Sequence, residues 1–145
     1  MENEEQIKLA DFGFAVYLKG GTQSVVLGSP VYMAPEIVSR QEYGLPVDIW
    51  ALGIITLILL TGKSPFSGRT KSKIFQEIKF KQPHLPANQL DKDALMFIKA
   101  CLINDPEKRA KSRQLLHYPF IKNVLNTYVN ESPTKVSPTQ LYQDL

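Results

Sequence analysis

The chain has 145 residues, 43% of them apolar and 21% charged, with a formal net charge of +3. These values suit one globular domain or part of a larger one and exclude a disordered or fibrous chain. The charge is too small to demand a nucleic-acid or membrane partner. The single cysteine, Cys101, excludes an internal disulfide framework and fits a reducing compartment, cytoplasmic or nuclear. Met1 to Gln6 is acidic and polar, unlike the basic start and apolar middle of a signal peptide.

In chain order, the alternation at Ile7-Lys8-Leu9 predicts a short strand leading into Asp11-Phe12-Gly13, and Phe14 to Val16 a second one. Lys19 to Gly28, rich in Gly, Thr and Ser, reads as a mobile loop. Pro30 and Pro35 keep the next stretch extended, because the residue before proline avoids helical angles, and a short helical turn is expected after Pro35. The central helix is expected from about Pro46 to Leu60, with proline in its first turn and Gly62 at its end. Its run Ile49 to Leu60 is almost wholly apolar but only 12 residues long. A bilayer core needs about 20 such residues in a helix, and this run reaches about 18 Å. It is therefore read as a helix in the middle of a protein core.

Beyond it, Thr70 to Phe80 is a modest amphipathic helix with Ile74, Phe75 and Ile78 on one face. Asp91 caps a helix from about Lys92 to Leu102, whose apolar face carries Ala94, Phe97, Ile98 and Cys101. Ser112 is expected to cap a last short helix with Leu115 and Leu116, and a final helical piece runs from Phe120 to about Asn126. Residues 127–145 hold few large apolar side chains and two Ser-Pro pairs, and read as a flexible tail.

Asp11-Phe12-Gly13 and Ala34-Pro35-Glu36 are each too short to identify anything. Their order is more informative: Asp11 to Gly13, a loop with hydroxyls, Gly28 to Glu36 (GSPVYMAPE), Asp48 to Gly53 (DIWALG) and Asp105 to Arg109 (DPEKR). A carboxylate at a strand end can ligate a hard cation, although a turn aspartate that caps a bend satisfies the same local pattern. Asp48, at the start of the apolar helix, can accept N-terminal amides. Lys63, Arg69, Lys71, Lys73, Lys79 and Lys81 make positions 63–81 basic, with only Glu77 opposing. That run is either a docking surface or a solvated charged face.

The five motifs in this order resemble the second half of the eukaryotic-type Ser/Thr protein kinase family, over residues 7 to about 122, with a loose similarity to the calcium/calmodulin-dependent group in Tyr43 to Gly68. The resemblance implies a mainly α fold: a partial kinase C-lobe over residues 1–126, with a central buried helix and a strand remnant at the N-terminus. It implies that Asp11 binds Mg2+ beside ATP, with Gly13 allowing the backbone to flip and Phe12 packed inward. It implies a substrate-facing segment at Gly28, Ser29, Pro30, Val31 and Tyr32, an activation loop with candidate phosphosites Thr22 and Ser24, and a structural set of Glu36, Asp48 and Arg109, the first and last forming a buried ion pair. Thr22 and Ser24 read equally as unmodified loop residues.

The Gly-rich loop, the ATP-gripping lysine and the HRD aspartate of the family are not found in this sequence, so no catalytic base is assigned. The implied activity is phosphoryl transfer from ATP to protein Ser or Thr in the complete domain, with none expected of this chain alone. A non-catalytic, kinase-derived binding module is the alternative. The expected partners are a protein substrate or regulator and the N-terminal half of a kinase domain, with no nucleic acid and no membrane.

Overall fold

The computed structural model describes residues 8–19 and 21–123. Among these, regular structure is almost entirely helical: α1 (Pro35–Val38), α2 (Pro46–Thr61), α3 (Lys71–Phe80), α4 (Lys92–Cys101) and α5 (Ser112–Leu115), with 3-10 turns at Phe12–Phe14 and Pro30–Tyr32. A further helical stretch begins at residues 119–123; its expected continuation to Asn126, and the tail over 127–145, lie outside the described residues.

Local chemistry sets most helix boundaries. Pro46 opens α2, where its missing N–H costs nothing. Gly62 closes it at φ 68°, a left-handed angle that suits glycine, and its N–H donates to the Ile58 carbonyl at 2.7 Å. The Thr70 hydroxyl accepts from the Lys73 amide at 3.2 Å to start α3, and the Asp91 carboxylate from the Ala94 amide at 2.8 Å to start α4. At α5 the expected cap is displaced by one residue. Lys111 takes the cap position and Ser112 is already helical, while the Gln114 side-chain oxygen accepts the Lys111 amide at 2.8 Å.

The core forms where α2 packs against α4. Trp50, Ile54 and Leu57 from α2 meet Ile98 and Cys101 from α4, with Ile78 of α3 and Met33 and Ile37 joining them. Gly53 makes the approach possible: a Cβ there would meet the Cys101 Cβ at 2.6 Å and the Leu102 side chain at 2.9 Å. Phe97 is held edge-on by Tyr118 at 6.2 Å and tilted against Phe120 at 5.2 Å.

The buried stripe of α2 (Trp50, Gly53, Ile54, Leu57) follows the i, i+3, i+4, i+7 spacing of one helix face. The opposite face is bare. Leu52, Ile55 and Leu59 are 40%, 44% and 79% exposed, and Leu45, just before the helix, is exposed as well. The helix is thus apolar all round in composition but covered on one side only.

Among the described residues at the N-terminal end no strand forms. Residues 8–9 and 14–16 carry no strand pairing, and Phe12 to Phe14 form a single 3-10 turn. The one β-bridge among the described residues joins Gln23 to Tyr43, antiparallel, with reciprocal N–H to O bonds of 2.8 Å. The described residues of 19–28 form a loop, as expected, and these bonds and two others tether it: Tyr43 Oη donates to the Val25 carbonyl at 2.6 Å, and Thr22 Oγ1 to Glu42 Oε2 at 2.9 Å.

Candidate functional site

Arg109 sits on the turn after α4, and its guanidinium is fully satisfied. Nη1 and Nη2 donate to Glu36 Oε1 and Oε2 at 2.7 and 3.0 Å, a bidentate pair between side chains 0% and 2% exposed. The same two nitrogens donate to the carbonyls of Pro46 at 2.9 Å and Asn104 at 3.2 Å, and Nε to that of Ile103 at 2.9 Å. The face of the group lies over the Trp50 ring, 5.2 Å from its centroid. Three pieces are thereby tied at one point: the segment leading through Met33 and Ala34 into α1, the first residue of α2, and the turn after α4. The motif pattern pointed to both side chains. The carbonyl acceptors carry no sequence signal, because any residue supplies one.

This clasp positions the segment before it. Met33 and Ala34 are buried, while Gly28, Ser29 and Tyr32 face outward and Pro30 and Val31 are half-buried. Gly28 has φ 101°, which a side chain would strain. Gly28, Ser29 and Tyr32 line one wall of a cleft of 290 Å³ whose other walls come from Phe14, Val16, Val25, Tyr43 and the start of α2. A second cleft of 260 Å³ shares Phe14, Val16, Gln23, Tyr43, Val47 and Asp48 with it.

Asp48 stands at the rim of both clefts and does not cap its helix by its side chain, contrary to expectation. It is the third residue of α2, and its own amide already donates to the Leu45 carbonyl at 3.2 Å, which closes a turn before the helix without help from the carboxylate. Partial burial beside these apolar walls pushes its carboxyl above the usual carboxylate range.

Asp11 has left-handed angles (φ 61°, ψ 73°), and its Oδ1 accepts the Gly13 amide at 3.3 Å. A Cβ at Gly13 would press on that same oxygen at 3.2 Å. Phe12 does not pack inward: it is 68% exposed. No element among the described residues lies over it, so nothing offers its ring a pocket. No group of three or more His, Cys, Asp or Glu side chains that could hold a metal gathers among the described residues. A hard cation beside a nucleotide needs phosphate oxygens and a second anchoring group around such a carboxylate, and no lysine or arginine lines either cleft.

Two features were not legible as site elements in the sequence. The loop carrying Thr22 is held to the segment before α2 through Gln23, Glu42 and Tyr43. Glu77 on α3 clamps the turn before its own helix: its carboxylate accepts the Ser67 and Gly68 amides at 2.8 and 3.0 Å, the Ser67 hydroxyl at 3.1 Å and Lys81 Nζ at 3.0 Å. Lys81 foremost, helped by the two amides and the Ser67 hydroxyl, holds its pKa below the ordinary value against the opposing effect of desolvation. Gly68 allows the turn to fold this closely, since a Cβ there would meet the Ile74 amide nitrogen at 2.7 Å. Cys101, in the core, has its thiol pushed up to about 12 by burial, with Arg109 pulling weakly the other way.

Among the described residues no helix is long and apolar enough to cross a membrane. The family model for the protein kinase domain matches residues 1–121. The chain is 35% identical over 126 residues to a serine/threonine-protein kinase ATG1b of Arabidopsis thaliana, covering 84% of this chain and 18% of that protein. It is 36% identical over 135 residues to a serine/threonine-protein kinase STE20 of Candida glabrata (88% and 14%), and 32% identical over 138 residues to a probable serine/threonine-protein kinase MARK-A of Dictyostelium discoideum (91% and 13%). The chain thus spans less than a fifth of the length of these relatives. None of the three carries the calcium/calmodulin-dependent label loosely expected from the sequence. With a family match over residues 1–121 and these likenesses, the chain belongs to the protein kinase family, of the eukaryotic Ser/Thr type.

Proposed function

We propose that this chain is the substrate-facing helical part of an ATP-dependent Ser/Thr kinase domain, and that alone it does not transfer phosphate. The observation that carries the reading is the clasp: Arg109 fixes Glu36 and so holds the segment of Gly28, Ser29 and Tyr32 at the wall of a cleft. In a complete domain the phosphoryl group passes from ATP, with Mg2+, to a protein hydroxyl. In that setting Asp11 would contribute one metal ligand, Gly13 the close backbone turn, and Gly28 to Tyr32 the surface along which a protein substrate lies. Protein substrates and regulators are the partners this implies, in the cytoplasm or nucleus. Thr22 and Ser24 lie on the exposed loop as candidate phosphosites.

The bare stripe of α2, Leu52, Ile55 and Leu59, supports a second part of the proposal: another portion of a kinase domain packs there. If it removed about 500 Å² of apolar surface from water, at about 25 cal/mol per Å² its absence would cost about 12 kcal/mol, comparable with the whole stability of a domain, about 5–15 kcal/mol. The same stripe is compatible with a non-catalytic binding module. An assay with radiolabelled ATP, Mg2+ and a basic protein substrate tests the first part: the chain alone should give no protein-dependent turnover, and clear turnover overturns it. Adding the N-terminal half of a related Ser/Thr kinase domain separates the readings. Phosphotransfer that appears with it and disappears in Asp11→Asn supports the kinase reading; a stable complex without transfer supports the binding module.

A further inference from the structure

The turn between α2 and α3 is fastened by one carboxylate. Glu77 Oε2 accepts the Ser67 and Gly68 amides at 2.8 and 3.0 Å, and Oε1 accepts the Ser67 hydroxyl at 3.1 Å and Lys81 Nζ at 3.0 Å. Glu77 is the one acid in the stretch 63–81, so no second carboxylate of that stretch can take over the turn. The turn lies close on the start of α3, where a Cβ at Gly68 would meet the Lys73 carbonyl carbon at 2.9 Å. α3 itself packs on the 3-10 turn Pro30–Tyr32 and on α1. Ser67 is exposed, and residues 66–68 have no regular structure. The hydroxyls around it are placed differently. Ser64 Oγ donates to the Phe66 carbonyl at 3.0 Å and accepts its amide at 3.2 Å, Thr70 caps α3, and Ser72 is already helical. Ser67 alone among these four donates its hydroxyl to the carboxylate that holds the turn.

We propose that Ser67 is a phosphorylation site and that its phosphate unfastens this turn. The donor is ATP and the catalyst a separate protein kinase. The bond from Ser67 Oγ to the γ-phosphorus forms, and the bond from that phosphorus to the β,γ-bridging oxygen breaks. ADP leaves with the electron pair, and the hydroxyl proton passes to the modifying enzyme's base. Two effects then act in one direction. The hydroxyl proton that Glu77 Oε1 accepts is gone, and a group of about −2 charge at pH 7 stands beside a carboxylate, which disrupts by like-charge repulsion. Arg69, exposed and without an ion pair among the described residues, draws the phosphate away from Glu77. With Lys71 and Lys73 it also sets basic residues two, four and six places after Ser67, all exposed, which suits a modifying kinase whose substrate groove is acidic on that side. The turn responds in this way whether or not the complete domain transfers phosphate.

Two measurements on the full 145-residue chain test this. In the first, the chain is incubated with ATP, Mg2+ and a Ser/Thr kinase that selects basic residues after its serine, and phosphopeptides are read by mass spectrometry. Phosphate at Ser67 is expected, with a rate lower by about fivefold or more in Arg69→Glu; phosphate confined to Thr70 or Ser72 overturns the site. In the second, phosphoserine is encoded at position 67 during synthesis, and amide exchange is followed by NMR. Protection of the Ser67 and Gly68 amides should fall about tenfold or more, and the fall should shrink between about 50 and 500 mM salt by screening. In Glu77→Gln, which has no charge to repel, the same phosphoserine should lower protection less than about threefold. That coupling separates repulsion from loss of the hydroxyl donor, which Ser67→Ala reports by itself at about threefold or less. If the phosphorylated chain loses its helical circular dichroism, Ser67→Asp, with a single charge, reads the same two amides. Protection that is unchanged or raised by the phosphate, or an equal fall in Glu77→Gln, overturns the proposal.

Discussion

Replacing Glu36 by Gln keeps the shape of the side chain at the clasp and removes its charge. The wild-type carboxylate accepts two short bonds from Arg109, of 2.7 and 3.0 Å, at side chains with almost no access to water. Gln can accept one of them; its NH2 group then faces a guanidinium that has only donors to offer. Each bond to a charged group contributes about 1.5–3 kcal/mol, and breaking a buried ion pair from one side costs about 3–5 kcal/mol because the remaining charge is stranded. The three carbonyl bonds of Arg109 soften this without neutralising it. A loss of about 3–5 kcal/mol is therefore expected, and for a domain of this size about 4 °C per kcal/mol makes the fall in Tm about 12–20 °C. Urea unfolding followed by circular dichroism at 222 nm measures it directly, with the m-value unchanged. Adding Arg109→Met should recover part of the loss, since the stranded cation is then gone. A cost below about 1 kcal/mol for Glu36→Gln, or no recovery in the double variant, would refute the view that this pair holds the segment in place.

Other expectations follow from the same structure. Cys101 should resist a thiol reagent at pH 8 in the native chain and react fully in 6 M guanidinium. Because its folded thiol titrates at about 12 against an ordinary 9.0, the stability it confers is complete below pH 9 and declines as pH rises from there towards 12. For Asp48 the sign is opposite to that of a paired carboxylate. Its pKa is raised by the fold, so its charged form is a burden above the folded pKa, relieved as pH falls through that value towards 3.8. Asp48→Asn should raise the urea midpoint at pH 7 and lose that advantage near pH 4; an equal effect at both pH values contradicts this. Glu77→Ala should cost about 1 kcal/mol by freeing the Ser67 and Gly68 amides and should speed amide exchange at those two positions. In wild type, protection there should fade as acid passes below 4.5 and through the lowered pKa of Glu77. Thr22→Glu places a second negative charge against Glu42; faster cleavage of the loop by protease is expected, and an unchanged cleavage rate would show that the Thr22–Glu42 bond does not hold it.

Much of the architecture was legible because single residues announce it. Asp91 and Gly62 mark helix ends by their own hydrogen-bonding and backbone preferences, and the helical spacing of Ala94, Phe97, Ile98 and Cys101 identified a face that is buried. Glu36 and Arg109 could be paired only through the family resemblance that the motif order carries, since guanidinium chemistry alone does not choose among the chain's 14 carboxylates. The exposure of Leu52, Ile55 and Leu59 was not legible. Hydrophobicity records what a side chain prefers, whereas burial depends on whether a neighbour is present. The Gln23–Tyr43 bridge was hidden for a related reason: it is made by backbone atoms between two polar stretches with no apolar alternation. Asp48 misled because acidity near a helix start signals capping only if the first-turn amides are free, and here its own is engaged.

The clasp also has a consequence for synthesis. Its two ends lie 73 residues apart in the chain. At about 5–20 residues per second, Glu36 is made about 4–15 s before its ionic partner. For the part of that interval between residues 61 and 101, the apolar run of α2 has been translated while α4, which covers its inner face, is still incomplete. Ribosome pausing between residues 61 and 101 would lengthen the time for which this surface is open to chaperones or to self-association, whatever the stability of the finished chain.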